Sequence, residues 1–179
     1  LLLIAPKGVY KNWYDSEIPT HLPDHIEKKV VLWKTSDKSK KQQQVLNTMF
    51  ETGTDLHILI MNVEAFSSGA GTAFAYKFLS AHKAMIAIDE STTIKTPTSN
   101  RTKNILSLRE HAKYRRILTG SPVTKSPLDL FSQCNFLDPW LLDQSSYYSF
   151  RTRYAVCRKI QVHGRQVEIV VGYRNLSEL

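Results

Sequence analysis

Cysteine is scarce in this chain: Cys134 and Cys157 are the only two in 179 residues, at no metal-ligand spacing, and the six histidines make no paired-ligand motif. A disulfide framework or zinc site is not expected, and a reducing, intracellular location follows. Long hydrophobic runs are also missing, since none approaches the ~20 apolar residues needed to cross a bilayer. The opening Leu1-Leu2-Leu3-Ile4-Ala5 lacks the basic flank and the length of a signal peptide and reads as a strand. No internal repeat or low-complexity stretch is apparent.

Negative charge is in short supply. Sixteen acidic residues face 24 basic ones, a formal charge of +8 that favours polyanionic partners. The excess is clustered, with six lysines from Glu27 to Lys41 and six basic residues from Arg151 to Arg174. Each cluster reads either as a solvated face or as a phosphate-contacting surface. The remaining composition, 42% hydrophobic and 22% charged, is that of a globular domain. At this length one domain buries roughly 70% of its unfolded surface.

Strand-like apolar runs alternate with helical patterns, the signature of an α/β unit with a largely parallel sheet. Strands are expected at Leu1–Ala5, Lys29–Trp33, Leu56–Met61, Ala84–Asp89 and Arg116–Thr119. Helices are expected at Val9–Ile18, Ser36–Phe50, Thr72–Ala81, Asn100–His111 and Pro127–Phe136, the second capped by Ser36 and Asp37. Beyond Pro139 come the aromatic segment Tyr147-Tyr148-Ser149-Phe150 and an alternating pattern on either side of His163-Gly164 that predicts a hairpin. The chain starts without methionine inside an apolar strand. It stops at Asn175-Leu176-Ser177-Glu178-Leu179, which resembles the opening of a capped helix, so both ends are expected to lie within a longer protein.

The apolar run Met85-Ile86-Ala87-Ile88 ends abruptly in Asp89-Glu90. In nucleotide hydrolases a buried strand delivers an Asp to the Mg²⁺ of ATP, and a neighbouring Glu polarises the attacking water. Asp, Glu, Ser and Thr are equally ordinary where any strand leaves the core. A second apolar strand ends in Thr119-Gly120-Ser121-Pro122, and Ala5-Pro6-Lys7 and Asn62-Val63-Glu64 are likewise polar strand exits. In open parallel sheets, ligands bind at the carboxyl ends of the strands, so these four turns would line one edge.

In this order the turns resemble the first RecA-like lobe of superfamily-two helicases, specifically the Swi/Snf-like DNA-dependent ATPases and translocases. Leu2-Leu3-Ile4-Ala5-Pro6-Lys7 with Trp13 is similar to motif Ia, Ile60-Met61-Asn62-Val63-Glu64 to the next DNA-facing turn, Ile88-Asp89-Glu90-Ser91-Thr92 to the Walker-B motif, and Leu118-Thr119-Gly120-Ser121-Pro122 to motif III. Ile94-Lys95-Thr96-Pro97, Phe136-Leu137-Asp138-Pro139 and Gly172-Tyr173-Arg174-Asn175-Leu176 resemble flanking family segments. The similarity implies a P-loop-type sheet with helices on both faces. Residues 1–139 would form part of the lobe, and 140–179 a helical and hairpin extension toward a second RecA-like lobe.

The resemblance also implies ATP and Mg²⁺ as cofactors and duplex DNA, bound without sequence preference, as partner. Asp89 would hold Mg²⁺ through water and Glu90 would orient the hydrolytic water. Thr119, Gly120 and Ser121 would couple nucleotide state to DNA contact. Lys7, Asn62, Lys95 and Arg101 would contact DNA; the alternatives are a plain surface lysine for Lys7 and loop-structuring residues without direct contact for Asn62 and Glu64. Trp13, Tyr14, Trp33, Trp140 and the Tyr147–Phe150 cluster are expected to pack, with base stacking as the alternative.

Two departures qualify the match. None of the seven glycines is followed by Lys, so the phosphate-binding loop G-x-x-x-x-G-K-[ST] is absent from these residues and is expected upstream of Leu1. Ser91-Thr92 stand where Ala-His is common in the family. The expectation is a segment of an ATP-driven DNA translocase, itself inactive. The alternatives are a non-catalytic nucleic-acid-binding module and a small-molecule transferase using Asp89 as base, the latter lacking any Gly-x-Ser-x-Gly turn.

Overall fold

Each apolar run becomes one strand of a single parallel sheet in the computed structural model, which describes residues 1–34, 39–51 and 53–179. The strands are β1 (Leu2–Ala5), β2 (Lys28–Leu32), β3 (Leu56–Asn62), β4 (Met85–Asp89) and β5 (Tyr114–Leu118), in the spatial order β2-β3-β1-β4-β5. The last starts two residues earlier than the sequence predicts because Tyr114 and Arg115 already pair with Met85 and Ile86. Every residue of β1 is buried, which explains its unbroken apolar sequence: a central parallel strand is covered on both faces.

Side-chain alternation divides the core into two layers. Leu2, Ile4, Leu59, Met61, Ile86 and Ile88 point to one face, where they meet helices α3 (Lys40–Asn47), α4 (Gly69–Ala81), α5 (Asn100–Leu108) and α6 (Leu130–Leu137). Leu3, Ala5, Ile58, Ile60 and Ala87 point to the other, covered by the helical stretch of α1 (Tyr10–Asn12), one π-helical turn (Trp13–Glu17) and α2 (Ile18–His21). The π turn precedes Pro19, which has no N–H to donate and would crowd a regular helix; the Ile18 N–H instead reaches back to the Trp13 carbonyl. On this second face Tyr114 and Leu118 of the edge strand β5 stay exposed.

The capping role predicted for Ser36 and Asp37 lies outside the described residues. Within them α3 begins at Lys40, with Ser39 accepting from the Gln42 N–H. Beyond the sheet, Ser146 and Ser149 form a reciprocal capping box that starts α7 (Tyr147–Tyr154), where the sequence shows only an aromatic cluster. Phe150 and Tyr154 of this helix pack on Leu128 and Phe131, joining it to the segment that leads into α6. Strands β6 (Ala155–Val162) and β7 (Arg165–Tyr173) form the predicted antiparallel hairpin, whose turn residues His163 and Gly164 both take positive φ, 48° and 76°. The expected helix at Asn175 is instead one 3₁₀ turn, Leu176–Glu178; the Asn175 side chain does not cap it but donates to the Arg153 carbonyl. None of the described helices is long and apolar enough to cross a membrane.

Candidate nucleotide and DNA site

The strand register brings the polar turns to one edge. Ala5 lies opposite Asn62, Ile4 opposite Ile88, and Asp89 opposite Leu118, so the exits of β1, β3, β4 and β5 are level. Asp89 is half-buried at this rim and both of its carboxylate oxygens are held: Oδ2 accepts the Trp13 indole N–H at 2.7 Å and Oδ1 the Glu90 N–H at 3.0 Å. Trp13 therefore does more than pack. Because a carboxylate has about four acceptor positions, two remain for further ligands.

Glu90 is exposed, and its carboxylate has no partner among the described residues. Its backbone is left-handed, with φ 48° and ψ 60°, an uncommon conformation for a residue with a side chain. The turn that follows, Ser91–Ile94, is closed by the Thr93 N–H bonding the Glu90 carbonyl at 2.9 Å. Ser91 is buried and donates to Gln133 Oε1 at 2.6 Å.

In the turn after β5, the Ser121 N–H donates to Thr119 Oγ1 at 3.3 Å, the Ser121 hydroxyl to the Val123 carbonyl at 3.0 Å, and Gly120 is exposed. The segment beyond is gathered by Asp129, whose Oδ2 accepts the Thr124 N–H at 3.1 Å, the Thr124 hydroxyl at 2.8 Å and the Lys125 N–H at 2.9 Å. Burial opposes ionisation of Asp129, but the bonds from Lys125 and Thr124 and the charge of Lys95 outweigh it and hold this carboxyl below its usual range.

The residues expected to contact DNA divide into two groups. Lys7 is exposed in the turn after β1, where the Pro6 carbonyl accepts the N–H groups of Val9 and Tyr10, and Arg101 lies in the first turn of α5 without an ion pair among the described residues. Asn62 instead is buried and its Oδ1 caps the 3₁₀ turn Val63–Ser67 through the Ala65 N–H at 2.8 Å. That bond gives Asn62 the loop-structuring role named as its alternative. Lys95 is engaged internally, by the Thr124 hydroxyl and by Asp129 at 3.4 Å.

Gln133 and Asp129 escaped the sequence reading, as did the hydrogen bond made by Trp13. The available signal for Gln133 was an amide on the stripe that also carries Leu130 and Leu137, at i, i+3 and i+7 of α6. The basic hairpin cluster is partly neutralised, since Arg151 pairs with Glu168 at 2.6 Å and Arg153 with Glu178 at 2.8 Å.

The family model of the SNF2-related domain matches residues 1–168. Among curated proteins, the chain is 24% identical over 151 residues to the chromatin-remodeling ATPase INO80 of Saccharomyces cerevisiae, covering 83% of this chain and 10% of that protein. It is 28% identical over 152 residues to the same-named protein of Cryptococcus neoformans, covering 83% and 8%. Among solved structures, the Sulfolobus solfataricus SWI2/SNF2 ATPase core in complex with dsDNA superposes with a TM-score of 0.60 at 25% identity, over 86% of this chain and 27% of that one. The chain thus spans about a tenth of these curated relatives and about a quarter of the solved structure.

Proposed function

Since the chain belongs to the SNF2-related domain family, we propose that it is the Walker-B half of an ATP-hydrolysing motor that moves along duplex DNA, with residues 1–139 as lobe and 140–179 as extension. The observation that carries this reading is the Asp89–Glu90 pair: one carboxylate is braced by an indole and a backbone amide, while the adjacent one, exposed at the rim, has no partner among the described residues. Mg²⁺ keeps most of its waters and takes only one or two carboxylates, which suits this oxygen donor set. Asp89 would hold the metal and Glu90 would orient the attacking water. When bound, MgATP supplies the labile γ-phosphoryl group and the charge neutralisation for its transfer.

A phosphate cradle is not among these residues, since none of the seven glycines precedes a lysine. The open edge of β5, with Tyr114 and Leu118 exposed on the Trp13 face, offers a place to receive a further strand carrying such a loop. Lys7 and Arg101 supply phosphate contacts that do not read sequence. The SWI2/SNF2 core from Sulfolobus is described in complex with double-stranded DNA, which supports duplex DNA as partner. A second RecA-like lobe would complete the motor, and the chromatin-remodeling relatives support an intracellular location.

The test is Mg²⁺-dependent ATP hydrolysis by the full-length protein with and without duplex DNA. Stimulation by DNA, abolished by Glu90→Gln with DNA binding retained, is the expected result. Turnover that survives Glu90→Gln would refute the assignment.

A further inference from the structure

Gln133 lies on α6 with no solvent exposure, and its amide joins three segments. Oε1 accepts the Ser91 hydroxyl at 2.6 Å, while Nε2 donates to the carbonyls of Pro122 and Asp129, each at 2.8 Å. Turning the amide over would set its oxygen against two carbonyl oxygens, so the network itself fixes the orientation. Ser91 is the residue after Glu90, and Pro122 is the residue after Ser121. One buried side chain therefore spans the turn bearing the water-orienting carboxylate and the turn after β5.

Backbone pairing of β4 with β5 ends at Asp89 and Leu118. Past that point both turns leave the sheet, and Gln133 bonds to the backbone of one and the first side chain of the other. Release of the amide would leave the Ser91 hydroxyl and the Pro122 carbonyl to find new partners, a cost that discourages independent movement of either turn. We propose that Gln133 is a positioning residue that locks the Glu90 turn to the Thr119–Ser121 turn, so that displacement of one is transmitted to the other. This rests on the ATPase reading above for its consequence in catalysis, but the mechanical link does not.

The experiment compares the full-length protein with its Gln133→Met, Ser91→Ala and doubly substituted variants. Methionine keeps the length and packing of the side chain without its hydrogen bonds. Amide hydrogen exchange should rise in both turns in Gln133→Met and, in Ser91→Ala, should also rise at Ser121 and Val123 of the opposite turn. DNA-stimulated kcat should fall about tenfold with the KM for ATP and the Kd for duplex DNA unchanged, as expected when a group is mispositioned and not removed. The double variant should fall no further than the worse single one, because both substitutions break one link.

Should Gln133→Met fail to fold, Ser91→Ala carries the same comparison. Exchange that changes only in the substituted residue's own turn overturns the proposal. So does undiminished DNA stimulation in an active enzyme. A parent protein without ATPase activity would refute the functional reading instead, and the link would then stand or fall on the exchange pattern alone.

Discussion

The Trp13 indole N–H donates a 2.7 Å hydrogen bond to Asp89 Oδ2, across 76 residues of sequence. Trp13 opens the π turn of the helical stretch that follows the Lys7 turn, so the bond ties the β1 exit to the candidate metal carboxylate. Partners of this outer kind set the orientation and basicity of a metal ligand, and their loss costs about 10–100-fold in metal affinity or activity. Trp13→Phe keeps the apolar contacts and removes the donor. Its Mg²⁺ titration of DNA-stimulated ATPase in the full-length protein should shift to higher metal concentration by about tenfold, with DNA affinity retained.

Gly71 is the close-approach point between α4 and the turn capped by Asn62. A Cβ added there would lie 2.4 Å from the Ala65 carbonyl oxygen and 2.9 Å from its carbon, both of them backbone atoms that cannot rotate away. Gly71→Ala should therefore lower stability by about 1–3 kcal/mol, as overpacking of a tight site does, despite alanine's better helix propensity. Gly69, with nothing within 4 Å of its added Cβ, is the control, and Gly69→Ala should leave the urea midpoint near the parent value.

The sheet was legible because burial on both faces forces continuous apolar runs, and Leu2–Ala5 and Met85–Asp89 announce themselves by that alone. The site's edge was legible for the same reason: strands in parallel register end level, and Ala5, Asn62, Asp89 and Leu118 do so. What local pattern does not encode is which distant group uses each polar atom. Asn62 caps its own turn, Lys95 is taken up by Asp129, and Trp13 serves as a donor, each through a contact that only the folded arrangement defines. Asn175 does not act as a cap: its backbone is left-handed, φ 55°, where a capping residue is extended, and its side-chain amide is held by the distant Arg153 carbonyl.

Asp129 gives a pH signature. Hydrogen bonds from Lys125 and Thr124, with the Lys95 charge, overcome burial and depress its pKa in the folded state, so ionised Asp129 stabilises the fold above the ordinary carboxyl pKa of about 4. That contribution is lost as pH falls through the lowered folded value. Asp129→Asn should unfold at lower denaturant concentration than the parent at pH 7, and the gap between the two should shrink as the pH is taken below about 4. Urea melts at a series of pH values read this directly; a gap independent of pH would mean that the network does not depend on the charge.

Lys7 and Lys95 should separate binding from structure. Lys7 is exposed at the β1 exit, whereas Lys95 is half-buried and held by Thr124 and Asp129. A lysine that neutralises one phosphate releases about one counterion, so its removal weakens binding to every duplex equally and reduces the log–log salt slope by about 1. Lys7→Ala should behave in this way, with unchanged thermal stability, in fluorescence-anisotropy titrations of the full-length protein on unrelated duplexes at several salt concentrations. Lys95→Ala should show the opposite pattern: a lower melting temperature from loss of the Asp129 pair and little change in salt slope. If Lys95→Ala reduces the slope as much as Lys7→Ala does, the Asp129 pair must open when DNA binds, and the loop that it gathers would be part of the DNA-binding surface.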